Sequence, residues 1–144
     1  MALKDKKLSS DFIVDKRLEE AVRSQMKDGT IACASAFAVA KKSSADPLLI
    51  GKTADVLQIH LSHCQLGLFG FPGHAKGWNS AKVAEIPAPE GLEAAIRSAL
   101  GPAGELTCGA AWELADRFHV SRILIGYITD KLKIRIHKCQ LGAF

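Results

Sequence analysis

The side chains in this 144-residue chain that could do chemistry are four cysteines, five histidines and a cluster of cations near the C-terminus. The spacing from Cys33 to Cys64 is the same as that from Cys108 to Cys139. Thiols at such places can serve as nucleophiles, redox centres or metal ligands. His60, His63 and Cys64 sit close together, with His74 following, and imidazole plus thiolate is a zinc donor set. They are weak metal candidates, because no CxxC pair occurs and Arg135 and Lys138 stand where a second set would need histidines. A small thiol packed under a helix is the plainer reading. Farther along, Lys131, Lys133, Arg135 and His137 alternate with Leu132, Ile134 and Ile136, and Lys138 adjoins them. A period of two is that of a half-buried strand, which would line the cations along one edge. Such an edge suits phosphates. It equally suits a solvated strand whose lysines block aggregation.

Enzymatic arrangements are poorly represented. Ile50-Gly51-Lys52-Thr53 looks like the end of a phosphate-binding loop, but Asp46 stands where that loop needs its first glycine. There is no GxSxG and no HExxH, and the carboxylates are scattered. The chain reads as a non-enzyme with no cofactor.

The elements that must position these residues occur twice. When Gly29 is laid on Gly104, the run Gly29–Phe69 matches Gly104–Phe144 without a gap, with 15 of 41 positions identical. Cys33 falls on Cys108, Leu49-Ile50-Gly51 on Leu124-Ile125-Gly126, and Cys64-Gln65-Leu66-Gly67 on Cys139-Gln140-Leu141-Gly142. A repeat of this kind has to be recognised before the fold is read. The expected organisation is a flexible tail over 1–16, a first repeat over 17–70, a linker over 71–90 and a second repeat over 91–144. In the linker, Trp78 and Val83 are the residues able to dock on a neighbour. The repeated Cys-Gln-Leu-Gly run reads as a clasp that ends each unit.

The second repeat is the clearer copy. Leu92, Ala95, Ile96 and Leu100 recur at helical spacing up to Gly101-Pro102. Gly104–Thr107 is a short strand or a cap, and Thr107 is an N-cap for a helix burying Ala111, Leu114, Ala115 and Phe118. After a tight turn at His119-Val120, Ser121 caps a third helix that ends near Asp130. The strand over 131–137 follows. In the first repeat Asp46-Pro47 opens the matching helix, cap then proline at the first position.

Ala115, Phe118, Val120, Ile125 and Ile128 fit the small and apolar positions of a helix-turn-helix, and the order of elements resembles a winged helix. Ala40 and Ile50 hold their places in the first repeat, whereas Ser43 and Ala45 replace Phe118 and Val120. The fold class expected is α+β, mostly α, with two tandem winged-helix-like repeats. The resemblance implies a small DNA-binding transcription regulator that reads double-stranded DNA with the second repeat. Ser121, Arg122, Ile123 and Tyr127 would face base edges, with Gly126 permitting close approach of the helix. Arg122 can donate two bonds to a guanine. Lys131, Lys133, Arg135 and Lys138 would lie on phosphates, with Lys52 the corresponding cation of the first repeat. The alternatives are a protein-interaction module on the same scaffold, docking through the first repeat or as a homodimer, and a thiol- or metal-responsive sensor.

Composition agrees with a globular domain. Apolar residues make up 48%, charged residues 24% and aromatics 6%, so aliphatic side chains must build the core. The net charge of +4 permits an anionic partner. No apolar run approaches the ~18 residues of a membrane span, so no membrane partner is expected. The opening Met-Ala-Leu-Lys-Asp-Lys-Lys does not read as a secretory signal. Four cysteines in a chain without such a signal then point to reduced thiols in the cytoplasm.

Overall fold

The computed structural model describes residues 13–144. The tail expected over 1–16 lies largely outside these residues. Asp15 accepts a hydrogen bond from Arg17 N–H and caps a first helix, whose start at Lys16 falls within the span expected as tail. The described elements are α1 (Lys16–Gln25), β1 (Thr30–Ala32), α2 (Cys33–Lys42), α3 (Pro47–Val56), β2 (His60–Ser62), α4 (Ser80–Ala84), α5 (Leu92–Ser98), β3 (Leu106–Thr107), α6 (Cys108–Phe118), α7 (Arg122–Lys131) and β4 (Ile136–His137). The protein is α+β and mostly helical.

Local chemistry places the boundaries. Asp46 accepts from Leu48 N–H with Pro47 beside it, Thr107 accepts from Ala110 N–H, and Ser121 accepts from Leu124 N–H. Each satisfies a backbone donor that the first helical turn leaves open. The helix ends are also shared. Ser44, His119, Gln58 and Lys133 all take positive φ, between 52° and 60°. In each case the next residue donates back across the turn to a carbonyl in the last part of the helix, as Ile134 does to Thr129 and Ile59 to Ala54. This is the Schellman ending, built here on non-glycine residues. Ser44 and His119 occupy equivalent positions of the two repeats, as do Gln58 and Lys133, so the duplication holds in the backbone.

That ending corrects one expectation. The alternating segment over 131–137 is not one strand. α7 runs through Lys131, Leu132 caps it, Lys133 turns left-handed, and only Ile136–His137 is extended. The apolar residues still face inward, but each by a different route: Leu132 as cap, Ile134 in the reversal and Ile136 in β4. A capped helix end followed by a short strand thus produces the same alternation as a strand.

Two compact units result. In the first, α1, α2 and α3 pack on one another, and β1 pairs in parallel with β2, Ile31 opposite Leu61. In the second, α5 packs on α6, α6 on α7, and β3 pairs in parallel with β4, Leu106 opposite Ile136. A parallel pair needs a crossover, which here is the two-helix segment between the strands. Both sheets are such pairs, so neither is the antiparallel hairpin of a wing.

The units do not follow the repeats. Unit one takes residues up to His63 together with Gln140–Phe144, and unit two takes Cys64–Cys139. Cys64–Gly67 of the first repeat therefore belongs with the second repeat's helices, and Gln140–Phe144 of the second with the first's. In unit one the backbone of Leu141 crosses α3 at Gly51, where a Cβ would coincide with the Leu141 carbonyl oxygen. In unit two the backbone of Leu66 crosses α7 at Gly126 in the same way. Leu66 and Leu141 are fully buried, each contributing roughly 1.5–3 kcal/mol of apolar burial. The Cys-Gln-Leu-Gly run is thus a clasp, but an exchanged one. The expected linker is also partly structured: Asn79 caps α4, and Val83 is buried in unit two.

Alanine at Gly51 or Gly126 should lower stability by about 3 kcal/mol, because backbone must move to admit the methyl group. Gly109→Ala, in α6 with open space around it, should be neutral or stabilising. Urea midpoints of the three variants check this; equal midpoints would exclude the crossings.

Candidate functional site

The residues expected to read DNA converge on α7, and most have partners within unit two. Ser121 is exposed and its hydroxyl serves the helix cap. The Arg122 guanidinium lies over the Trp112 indole, 3.7 Å from the ring centroid, and donates to Gln65 Oε1. A planar cation placed in this way is held by ring electrostatics and a directed bond together. Ile123 is half-buried. Tyr127 meets Trp78 edge to face, with centroids 5.8 Å apart. Gly126 does permit a close approach, but the approaching backbone is that of Leu66.

The segment after the clasp lies along α7 as a strap. The Lys76 ammonium sits 3.8 Å from Asp130 and 5.7 Å from the centroid of the Trp78 ring. Trp78 also rests on Gly67, where a Cβ would fall 2.8 Å from the indole. Gly67 has φ +78°, so two constraints favour glycine there. Beyond Trp78, Val83, Ala84 and Ile86 join Leu124, Tyr127 and Ile128 around a groove of about 350 Å³. Of α7, only Asp130 and Lys131 remain exposed.

The cations at the end of the repeat face solvent. Lys131, Lys133, Arg135 and Lys138 are all exposed, on the end of α7, at two left-handed positions and just before β4 rather than along one strand face. His137 differs from them: its Nδ1 lies 3.4 Å from Glu105 Oε2.

The corresponding helix of unit one presents a different surface. On α3, Leu48 is 44% exposed, Lys52 is exposed and Val56 is 37% exposed. Spaced by four, these share one face. Their counterparts on α7 are Ile123, Tyr127 and Lys131. Lys52 is the cation expected on this helix; Leu48 and Val56 on either side of it make the face largely apolar. The Leu-x-x-x-Lys-x-x-x-Val spacing was the available signal.

The cysteines open α2 and α6 and flank the clasps. Cys33, Cys64 and Cys108 are buried, and Cys139 is half-buried. Burial pushes the Cys64 thiol up from its ordinary value; the backbone bonds around it oppose this in part, and Cys139 adds to it. Of the weak zinc candidates, His60 and His63 are exposed and Cys64 is buried. His63 Nδ1 lies 3.0 Å from Ser62 Oγ. Among the described residues no group of three His, Cys, Asp or Glu could hold a metal ion. No described helix is long and apolar enough to cross a membrane. No protein family matches the chain, and no curated protein or solved structure matches it.

Arg122→Ala should cost about 1–2 kcal/mol and alter Trp112 emission, since a partly desolvated cation–π contact and a hydrogen bond are lost together. Unchanged emission and midpoint would show the stack to be absent in solution. For Cys64, a raised folded value means the native state keeps a proton that the unfolded chain has released. Its stabilising contribution is complete below the unfolded thiol value, roughly 8.5, and is lost as pH rises through the folded value. Between neutral and alkaline pH, the urea midpoint should therefore fall less for Cys64→Ala than for the native chain.

Proposed function

We propose that this chain is a non-enzymatic, cytoplasmic protein-interaction module on a tandem helix-turn-helix scaffold, docking a partner through α3 of the first unit. One observation carries the reading. The two equivalent helices differ in cover: α7 lies under the chain's own strap, whereas α3 presents Leu48, Lys52 and Val56 to solvent. Two large aliphatics flanking one lysine suit a protein surface better than a nucleic-acid groove, where exposed recognition positions are polar or cationic. Cysteines outside any disulfide support a cytoplasmic setting.

The exposed Lys131, Lys133, Arg135 and Lys138 favour a second reading, a DNA-binding regulator gripping phosphates with unit two. In that reading Lys52 adds a cation from unit one. Base readout by Arg122 would require it to leave Trp112 and Gln65.

The two readings separate on salt. A complex docked on α3 should survive moderate salt and be lost with Leu48→Asp plus Val56→Asp, measured by quantitative co-purification of the tagged chain against that variant. DNA binding should weaken steeply with salt, with Lys133→Ala and Arg135→Ala reducing affinity for all duplexes alike. Steep salt dependence with no effect of the α3 changes would overturn the interaction reading.

A further inference from the structure

The groove beside α7 has walls from three elements. α7 gives Leu124, Ile128 and Leu132, α4 and the turn after it give Val83 and Ile86, and Glu93 of α5 lies at its edge. All belong to unit two. A groove of about 350 Å³ falls at the lower end of the volumes that hold small ligands. Among the described residues, Ile86 is the one large aliphatic of unit two left exposed, at 48%. A single exposed aliphatic is ordinary on a convex surface. This one borders a concave apolar wall, so a ligand entering the groove would cover it.

Two charged side chains line the groove, and they are not equivalent. Glu93 is engaged by Arg97, whose Nη2 lies 3.4 Å from Oε1. Lys131 is exposed, and its ammonium has no partner among the described residues. The carbonyls at the end of α7 do not draw it in, because Leu132, Lys133 and Ile134 already donate to Ile128, Asp130 and Thr129. The adjacent carboxylate, Asp130, holds Lys76 at 3.8 Å. The groove thus joins an apolar wall to one uncompensated cation.

We propose that unit two binds a small amphipathic carboxylate, an aliphatic acid free in solution, with its chain in this groove and its carboxylate at Lys131. The chain covers Ile86, Ile128 and Leu132, and the headgroup stays at the rim, where the lysine is wet. A ligand cation would face Lys131 and find Glu93 already taken by Arg97. A neutral ligand would leave the lysine unused. The site makes no use of α3, so it stands or falls apart from the interaction reading.

The probe is octanoate, titrated into the isotopically labelled full chain and followed by amide and methyl shifts. Saturable shifts centred on Ile86, Ile128 and Leu132 are expected, with a dissociation constant of about 0.1–1 mM, as the small number of ligand atoms allows. Octanol should bind about three- to fivefold more weakly, the usual worth of one exposed ion pair. In a Lys131→Gln chain that difference should vanish, with octanol affinity unchanged. Ile86→Asp, a change in an exposed side chain, should leave the spectrum folded and weaken octanoate about tenfold, by lost apolar contact and like charge. No saturable shift in the groove would overturn the proposal. Equal affinity of the native chain for octanoate and octanol would overturn it too, as would tighter binding of octylammonium, which would assign the headgroup to Glu93.

Discussion

Backbone crossing a helix at a glycine is the contact on which the rest of the structure depends. Leu141 passes over Gly51 and Leu66 over Gly126 so closely that no side chain could stand between them. A helix surface carries a Cβ at nearly every step, and glycine removes it at one point only. The crossing chain is thereby located along the helix to within a residue. Its leucine then drops into the core beside the gap, fully buried in both units. The crossing also places the next glycine, Gly67 or Gly142, where it can accept a further side chain.

From that constraint follows the exchange of clasps between repeats. A repeat that kept its own clasp would be complete on its own, and the duplication would be two beads joined by a linker. Here each compact unit lacks its closing run unless the other repeat supplies it. Each compact unit is therefore built from segments of both repeats. The exchange also fits the presence of Cys-Gln-Leu-Gly in both copies while the exposed faces differ: the clasp must fit the other repeat's helix.

The difference between those faces carries the functional argument. α7 has Tyr127 and Asp130, which the strap engages through Trp78 and Lys76. α3 has Lys52 in place of the tyrosine and the same carboxylate at Asp55. Arg122 illustrates the hazard of reading a helix by itself. An arginine at the start of a second helix fits a guanine contact by position, yet its guanidinium lies on the Trp112 indole. Trp112 and Gln65, the latter far away in sequence, decide what it touches.

The duplication, the helix starts and the mostly helical character were legible because they rest on local chemistry. Identical residues at a fixed spacing, Asp46-Pro47, Thr107 and Ser121 as caps, and aliphatics at helical period all act within a few residues of themselves. The end of α7 was less legible, since a left-handed lysine closes it where a glycine would have announced the turn. Tertiary structure alone decided which clasp closes which repeat, because two nearly identical segments fit two nearly identical helices and sequence similarity cannot choose between them. It decided, too, which of the two equivalent helices stays exposed. Connectivity and packing, which lay the strap on α7, settle that, and neither is encoded in the periodicity of either helix.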